Sequence, residues 1–334
     1  MSAIRVLISE TYDPWFNLAT EDYIFREMDP DHHILFLWRN DNTVVIGRYQ
    51  NPWAECDIRK MDEDKVKLAR RQSGGGAVFH DLGNTNFTFM SSRSNYSKER
   101  NTDIIVRALK RFRIDAASSG RNDIVVDGKK ISGSAFKLSS DRAFHHGTLL
   151  INADLSRISN YLTPDKKKLQ SKGIKSVKSR VANLNEFNPE LNHDTLCQVI
   201  IEEFFQTYGE RCEPEILDHE KLKTIPHLQN YFDQMSDWNW RFGKTPDFAH
   251  HMAERFEWGR MEVFIDTKSG IITSTRIYSD SLVPEMVEQL MEDLRDIPYS
   301  CEDVKKTLEK TAEKLPQDSS QIADFSRWLC GQLP

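Results

Sequence analysis

The run Ile124-Val125-Val126-Asp127-Gly128-Lys129-Lys130-Ile131-Ser132-Gly133-Ser134-Ala135 constrains this fold more than any other stretch. Two β-prone segments flank Asp-Gly, and that dipeptide supplies the two positive φ angles of a type I′ turn. A tight hairpin pairs its strands antiparallel, which argues against a purely parallel sheet. Further short β-branched or aromatic runs fit the same layer: Arg5 to Ser9, Ile34 to Trp38, Thr43 to Gly47, Val66 to Arg70, Ala77 to His80, Thr85 to Met90 and Phe144 to Asn152. Arg39 to Asn42 read as a second hairpin turn between two of these runs. Phe16, Ala19 and Tyr23 predict an amphipathic helix after Pro14. Ile105, Ala108, Leu109 and Phe112 predict another, with Thr102 as its N-cap. A third runs from Leu196 through Phe204 and stops at Gly209. The expected class is α/β of the α+β kind, with a mixed, mostly antiparallel sheet.

At 334 residues the chain is long enough for two domains. Its pattern changes near Gly243 to Pro246. Beyond lie two strand-like runs, Met261 to Ile265 and Ile271 to Tyr278, with a turn through Lys268-Ser269-Gly270 between them. Three helical stripes follow, headed by Val287, Val304 and Ile322. The expected division is a domain over 1–246 and a small α+β domain over 250–334. Lys plus Arg number 45 against 51 Asp plus Glu, a net charge of -6, which argues against a nucleic-acid coat or a membrane-surface protein. No apolar run is long enough for a membrane span, and Met1 to Trp15 does not read as a signal peptide. Five scattered cysteines without C-x-x-C argue against a disulfide scaffold or zinc site and fit a reducing cytosol.

Four segments carry candidate chemistry. In Arg70-Arg71-Gln72-Ser73-Gly74-Gly75-Gly76-Ala77-Val78-Phe79-His80-Asp81, three glycines let the backbone approach a ligand, and successive N–H groups form a nest for an anion. The arginines add fork-shaped donors suited to phosphate; the plainer reading is a hairpin loop with solvated arginines. Asn122 and Asp123 offer oxygen ligands for Mg²⁺. Lys129 and Lys130 point to opposite faces of a strand, so only one looks inward; otherwise both are surface charges. His145 and His146 also face opposite sides and cannot chelate one ion together, whereas His146-Gly147-Thr148 can line a pocket. Lys166, Lys167, Lys168, Lys172, Lys175, Lys178 and Arg180 form a basic stretch. It is either a solvated loop or one that closes over an anion or steers an acidic partner. Gly243-Lys244-Thr245 ends like a Walker A loop, but Trp238 stands where that motif needs glycine.

Together these segments resemble the lipoate–protein ligase family. The resemblance includes Tyr12 to Ala19, Trp38-Arg39-Asn40, Thr43 to Arg48, Gln50 to Trp53 and Arg70 to Asn84. It continues through Ser119 to Asp123, Lys130 to Ala135, His145 to Asn152 and Trp238 to Pro246. It implies a catalytic domain of the biotin/lipoate ligase type with a small C-terminal domain. It implies activation of lipoate by Mg-ATP to lipoyl-adenylate with release of pyrophosphate, then transfer to a lysine of an acceptor domain. Acceptors so implied are 2-oxoacid dehydrogenase E2 subunits and the glycine-cleavage H protein. Family binding positions fall on Arg71, Gly76, Ala77, Val78, Phe79 and Lys130.

The expected site therefore has Lys130 as the catalytic cation. Arg71, Ser73, Gly74, Gly75, Gly76, Ala77, Val78, Phe79, Asn122, His146 and Gly147 serve binding, and Asp123 the metal. Two anions meet when a carboxylate attacks the α-phosphate, so positive charge belongs there. A lipoyl or octanoyl transferase of the same fold is the nearest rival. It needs a nucleophilic cysteine, and none lies in these motifs. Biotin ligases carry a different, Arg-rich glycine loop, and intact Lys130 with Asn122-Asp123 argues for catalysis over a non-catalytic binder of lipoyl-adenylate.

Overall fold

The computed structural model describes residues 4–27, 29, 31–50, 52–120, 122–162, 181–242, 250–268 and 271–333. The basic stretch from Lys166 to Arg180, Arg121 and the Gly243 to Pro246 junction lie outside them. Two compact units emerge: Met1–Val45, Pro52–Arg71 and Val78–Arg241 make the first; Ile46–Asn51, Gln72–Ala77 and Phe242–Pro334 make the second. Two segments from the first 246 residues thus cluster with the C-terminal unit.

The first unit is built on an eight-stranded sheet. Its strands are β1 (Ile4–Ser9), β2 (His33–Trp38), β6 (Asn84–Ser92), β7 (Ala117–Ser119), β8 (Asp123–Val126), β9 (Lys129–Leu138), β10 (Arg142–Leu150) and β11 (Glu215–Leu217). The order is β11-β1-β2-β6-β10-β9-β8-β7. Strand β1 runs parallel to β2 and β11, and the other neighbours pair antiparallel, as expected of a mixed sheet. A second, three-stranded sheet has the order β4-β3-β5, from β3 (Thr43–Ile46), β4 (Lys67–Arg70) and β5 (Val78–His80).

The expected hairpin through Arg39 to Asn42 does not form, because β2 already has β1 and β6 on its two edges and β3 belongs to the other sheet. Asn42, at φ 45°, turns the chain instead. Its side chain donates to Asp64 O and Lys65 O, and its carbonyl accepts from Lys67 N.

Strand alternation splits the core. Leu35, Leu37, Phe87 and Phe89 face Ile104, Ile105, Leu196 and Ile200 of the helices Lys98–Arg111 and His193–Tyr208. Ile34, Phe36, Trp38 and Phe144 face Phe16, Leu18, Leu228 and Met235 of the helices Pro14–Glu27 and Leu228–Ser236. Helix Pro14–Glu27 is not amphipathic as expected: Asn17, Thr20, Glu21 and Asp22 are buried along with its apolar residues. Asn17 stays satisfied through Ser9, Thr11 O, Arg39 O and Asn40. The N-cap of Lys98–Arg111 is Ser97, not Thr102: Ser97 is extended and its hydroxyl accepts from Arg100 N, so the helix starts a turn earlier. Gly209, at φ 70°, ends His193–Tyr208 in the left-handed form, as expected.

In the second unit β12 (His250–Phe256), β13 (Gly259–Lys268) and β14 (Ile271–Ser279) form an antiparallel sheet. Met261, Val263, Ile265 and Ile277 pack on the helices Pro284–Asp293, Cys301–Lys314 and Ser319–Cys330 through Leu290, Leu308 and Phe325. Among the described residues no helix is long and apolar enough to cross a membrane.

Candidate active site

The Asp127-Gly128 turn forms as expected, with both residues at positive φ. It leads into a β-bulge. Asp123 opposes Gly133 and Ile124 opposes Ser132, but Val125 then opposes Lys130, so Ile131 is the extra residue. The bulge decides where Lys130 points. In unbroken register Lys130 would oppose Val126 and face the core; with the bulge it shares the face of Asp123, Val125 and Gly133. Its Nζ lies 2.7 Å from Asp123 Oδ1, both side chains remaining about a third exposed. A Cβ at Gly133 would stand 2.9 Å from that Nζ and 3.1 Å from Cε, so the missing side chain is the lysine's path. Thr148 Oγ1 accepts from Gly133 N at 3.2 Å and fixes that backbone. Lys129 is exposed and pairs with Glu186, while Lys130 is partly exposed beside Asp123. Asn122 is tied to β9, donating from its side chain to Ser134 O and accepting from Ser134 N.

The same sheet face continues through Ala135 to His146 and Thr88 by cross-strand register. His146 Nδ1 lies 2.8 Å from Glu21 Oε1, which also accepts from Thr88 Oγ1 at 2.7 Å. Thr88 in turn accepts from Trp38 Nε1. With the carboxyl oxygen accepting, the Nδ1 of His146 carries the proton. Arg71 is buried nearby, donating to Val45 O. Burial pulls its guanidinium down to about 10, opposed by the charge of Glu21. His80, held by Asn40 Nδ2 at 3.3 Å, is pulled down to about 3 by burial, then by Arg71 and His146. A neutral imidazole and a cation thus sit together in low dielectric.

His145 and Gly147 point the other way, into the core that contains Phe87 and Phe89. Both ring nitrogens of His145 lack a hydrogen-bond partner, and burial pulls the ring down to about 3. A Cβ at Gly147 would lie 2.5 Å from Phe87 Cζ, so its open side is taken by that ring and any pocket role falls to its main chain. Phe79 is buried, with its ring 5.4 Å from Tyr161 and beneath the Arg157 guanidinium at 4.8 Å. Val78 packs instead toward the Phe36 and Trp38 core.

In the second unit the three glycines differ from one another. A Cβ at Gly74 would meet Ser281 O at 2.0 Å, so glycine is required there by a main-chain crossing. Gly75 sits at φ 93° and its N–H donates to Ser281 O at 2.9 Å, which removes that amide from the expected anion nest. Gly76 has open space at its Cβ position. Ser73, buried, accepts from Arg48 N.

Among the described residues no group of three or more His, Cys, Asp and Glu could hold a metal. Asp123 is a single carboxylate, a donor set that suits Mg²⁺ only where water and nucleotide phosphates complete the shell. All five cysteines are free. Cys56 and Cys197 are buried and pushed up to about 12, chiefly by burial, which leaves thiols rather than nucleophilic thiolates.

Glu21 and Thr88 carry no expected role in the sequence reading, and Trp38, Asn40 and His80 fall in its quoted segments without one. Asn17 and Glu21 stand at i,i+4 on the first helix, so two polar groups on one buried face were the available signal.

Residues 13–205 match the lipoyl protein ligase A/B catalytic domain family and residues 245–329 the bacterial lipoate protein ligase C-terminus. The chain is 52% identical over 335 residues to lipoate-protein ligase A of Psychrobacter cryohalolentis, covering 99% of each. It is similar to the crystal structure of P. falciparum LipL1 in complex with lipoate, at TM-score 0.86 and 34% identity, covering 98% of this chain and 100% of that one. A lipoate-protein ligase A bound with ATP matches at TM-score 0.63 and 26% identity, over 73% of this chain and 99% of that one. With its catalytic and C-terminal regions both matched and its whole length shared with a named relative, the chain belongs to the lipoate–protein ligase family.

Proposed function

We propose that this lipoate–protein ligase works in two steps at Lys130. The lipoate carboxylate attacks the α-phosphorus of ATP, the bond to pyrophosphate breaks, and lipoyl-adenylate forms. An acceptor lysine amine then attacks the acyl carbon, loses a proton and expels AMP. The observation that carries the reading is the bulge that turns Lys130 onto the sheet face of His146, the partner of Glu21. An ammonium there offsets the charge of two meeting anions, worth about 3–4 kcal/mol of barrier for one preorganised donor. It also holds the adenylate phosphate and polarises the acyl carbonyl during transfer.

Arg71, Ser73, Gly76 and Ala77 serve nucleotide and lipoate binding in this reading, with Gly76 offering the open approach, while Gly74 and Gly75 shape the segment against Ser281 O. Val78 and His146 accommodate the acyl tail, with Phe79 and Gly147 contributing main chain only. Asn122 and Asp123 would hold Mg²⁺ carried by ATP, which would neutralise phosphate charge. Residues 1–246 form the catalytic domain and 250–334 the accessory domain.

The acceptors are lipoyl domains of 2-oxoacid dehydrogenase E2 subunits and H protein, met in the cytoplasm. The net charge of -6 and the free thiols fit that setting, without nucleic acid or membrane. Lipoate-dependent ATP–pyrophosphate exchange, followed by mass analysis of an offered lipoyl domain, tests the reading. Exchange without lipoate, or none with it, overturns it.

A further inference from the structure

We propose that Asp123 is a positioning residue for Lys130, acting with Gly133 and needing no metal to do so. A lysine carries a long flexible stem, and a strand-surface ammonium normally samples many rotamers. Here three features restrict it. The bulge at Ile131 selects the face, Asp123 Oδ1 takes the ammonium at 2.7 Å, and Gly133 leaves vacant the volume the stem crosses. Thr148 holds the Gly133 backbone in that position. The contact is an ion pair without hydrogen-bond geometry, so the N–H donors of the ammonium remain for a phosphate or acyl oxygen. The proposal rests on the ligase reading above and deepens it, because Asp123 otherwise has only the metal role expected from its position in the sequence.

A metal role and a positioning role separate when binding is measured without metal. The probe is a lipoyl-sulfamoyl adenosine, a non-reactive stand-in for the acyl-adenylate, titrated by calorimetry in EDTA. Asp123→Asn should weaken binding roughly fivefold, the scale of a partly exposed charge pair. Asp123→Glu should restore part of that loss. Gly133→Ala should weaken binding as well, since its methyl would meet only Lys130 atoms. In a Lys130→Ala background both effects should vanish, because the group they position is gone. Thermal unfolding checks that each variant folds like the parent. Unchanged binding in Asp123→Asn, or a loss that persists in the Lys130→Ala background, overturns the proposal while leaving the ligase reading in place. Failure of the parent protein to bind the analogue overturns the ligase reading itself.

Discussion

The position a Cβ would take on Gly147 lies 2.5 Å from Cζ of Phe87, a ring with no solvent exposure. Phe87 is wedged between Phe89 and His145 and has little room to retreat. Gly147→Ala should therefore overpack the core and cost about 1–3 kcal/mol of stability. Urea unfolding checks this, and an unchanged midpoint would mean that Phe87 has another rotamer open to it.

Glu21 is the common acceptor for Thr88 and His146. Glu21→Ala strands both donors in a buried place and should destabilise by about 1–3 kcal/mol for each group left unpaired. Glu21→Gln keeps one carbonyl acceptor and should recover much of the loss. Equal losses in the two variants would assign the effect to packing instead of hydrogen bonding.

Acid should weaken the fold well above the carboxylate range. His80 and His145 both fall from 6.5 to about 3, chiefly through burial, and His193 falls to about 4 for the same leading reason. Below pH 6.5 the unfolded chain takes up protons that the folded chain refuses, so stability present above that pH is lost as pH drops toward 3. The slope approaches about 1.4 kcal/mol per pH unit for each histidine. Neither ring nitrogen of His145 has a partner, so His145→Phe sacrifices no hydrogen bond and should flatten the slope. Urea midpoints at pH 7.5, 6 and 5 give the comparison, and identical slopes would remove His145 from the account.

Much of this was legible from local chemistry. The Asp127-Gly128 hairpin, the shared face of Phe87 and Phe89 and the stop at Gly209 follow from backbone rules that act within a few residues. The face of Lys130 was not legible, because a bulge depends on register against β8, a tertiary fact. The β2–β3 hairpin failed for a similar reason: whether a strand has a free edge is decided by distant partners. Strand β12 is not legible locally, because His250 to Arg255 lacks the apolar alternation of a half-buried strand. The roles of Glu21 and His80 needed the fold as well, since a buried carboxyl looks like any helix surface acid until its partners are known.

Cysteine reagents should leave lipoyl transfer intact. The Cys197 thiol lies 3.6 Å from His193 Nδ1, yet burial pushes it up to about 12 and pulls the histidine down to about 4. A neutral pair of this kind is a poor nucleophile. Cys197→Ala should retain acyl transfer from ATP and lipoate, measured by mass gain on a lipoyl domain. Abolished transfer in a folded Cys197→Ala variant would favour a cysteine-based transferase.

Gly74 and Gly76 should respond in opposite ways to alanine. At Gly74 the methyl would sit 2.0 Å from Ser281 O, and backbone cannot yield as a side-chain tip can. Gly74→Ala should lower the unfolding temperature. At Gly76 nothing lies within 4 Å, so Gly76→Ala should unfold like the parent. If that open space admits the nucleotide, the same methyl should raise the KM for ATP about tenfold or more, since crowding a close backbone approach costs roughly 1.4 kcal/mol or above. Pyrophosphate exchange against ATP concentration reads this directly. A Gly76→Ala protein with normal KM would show that ligand approaches the segment elsewhere, and Gly74 would then be glycine for architecture alone.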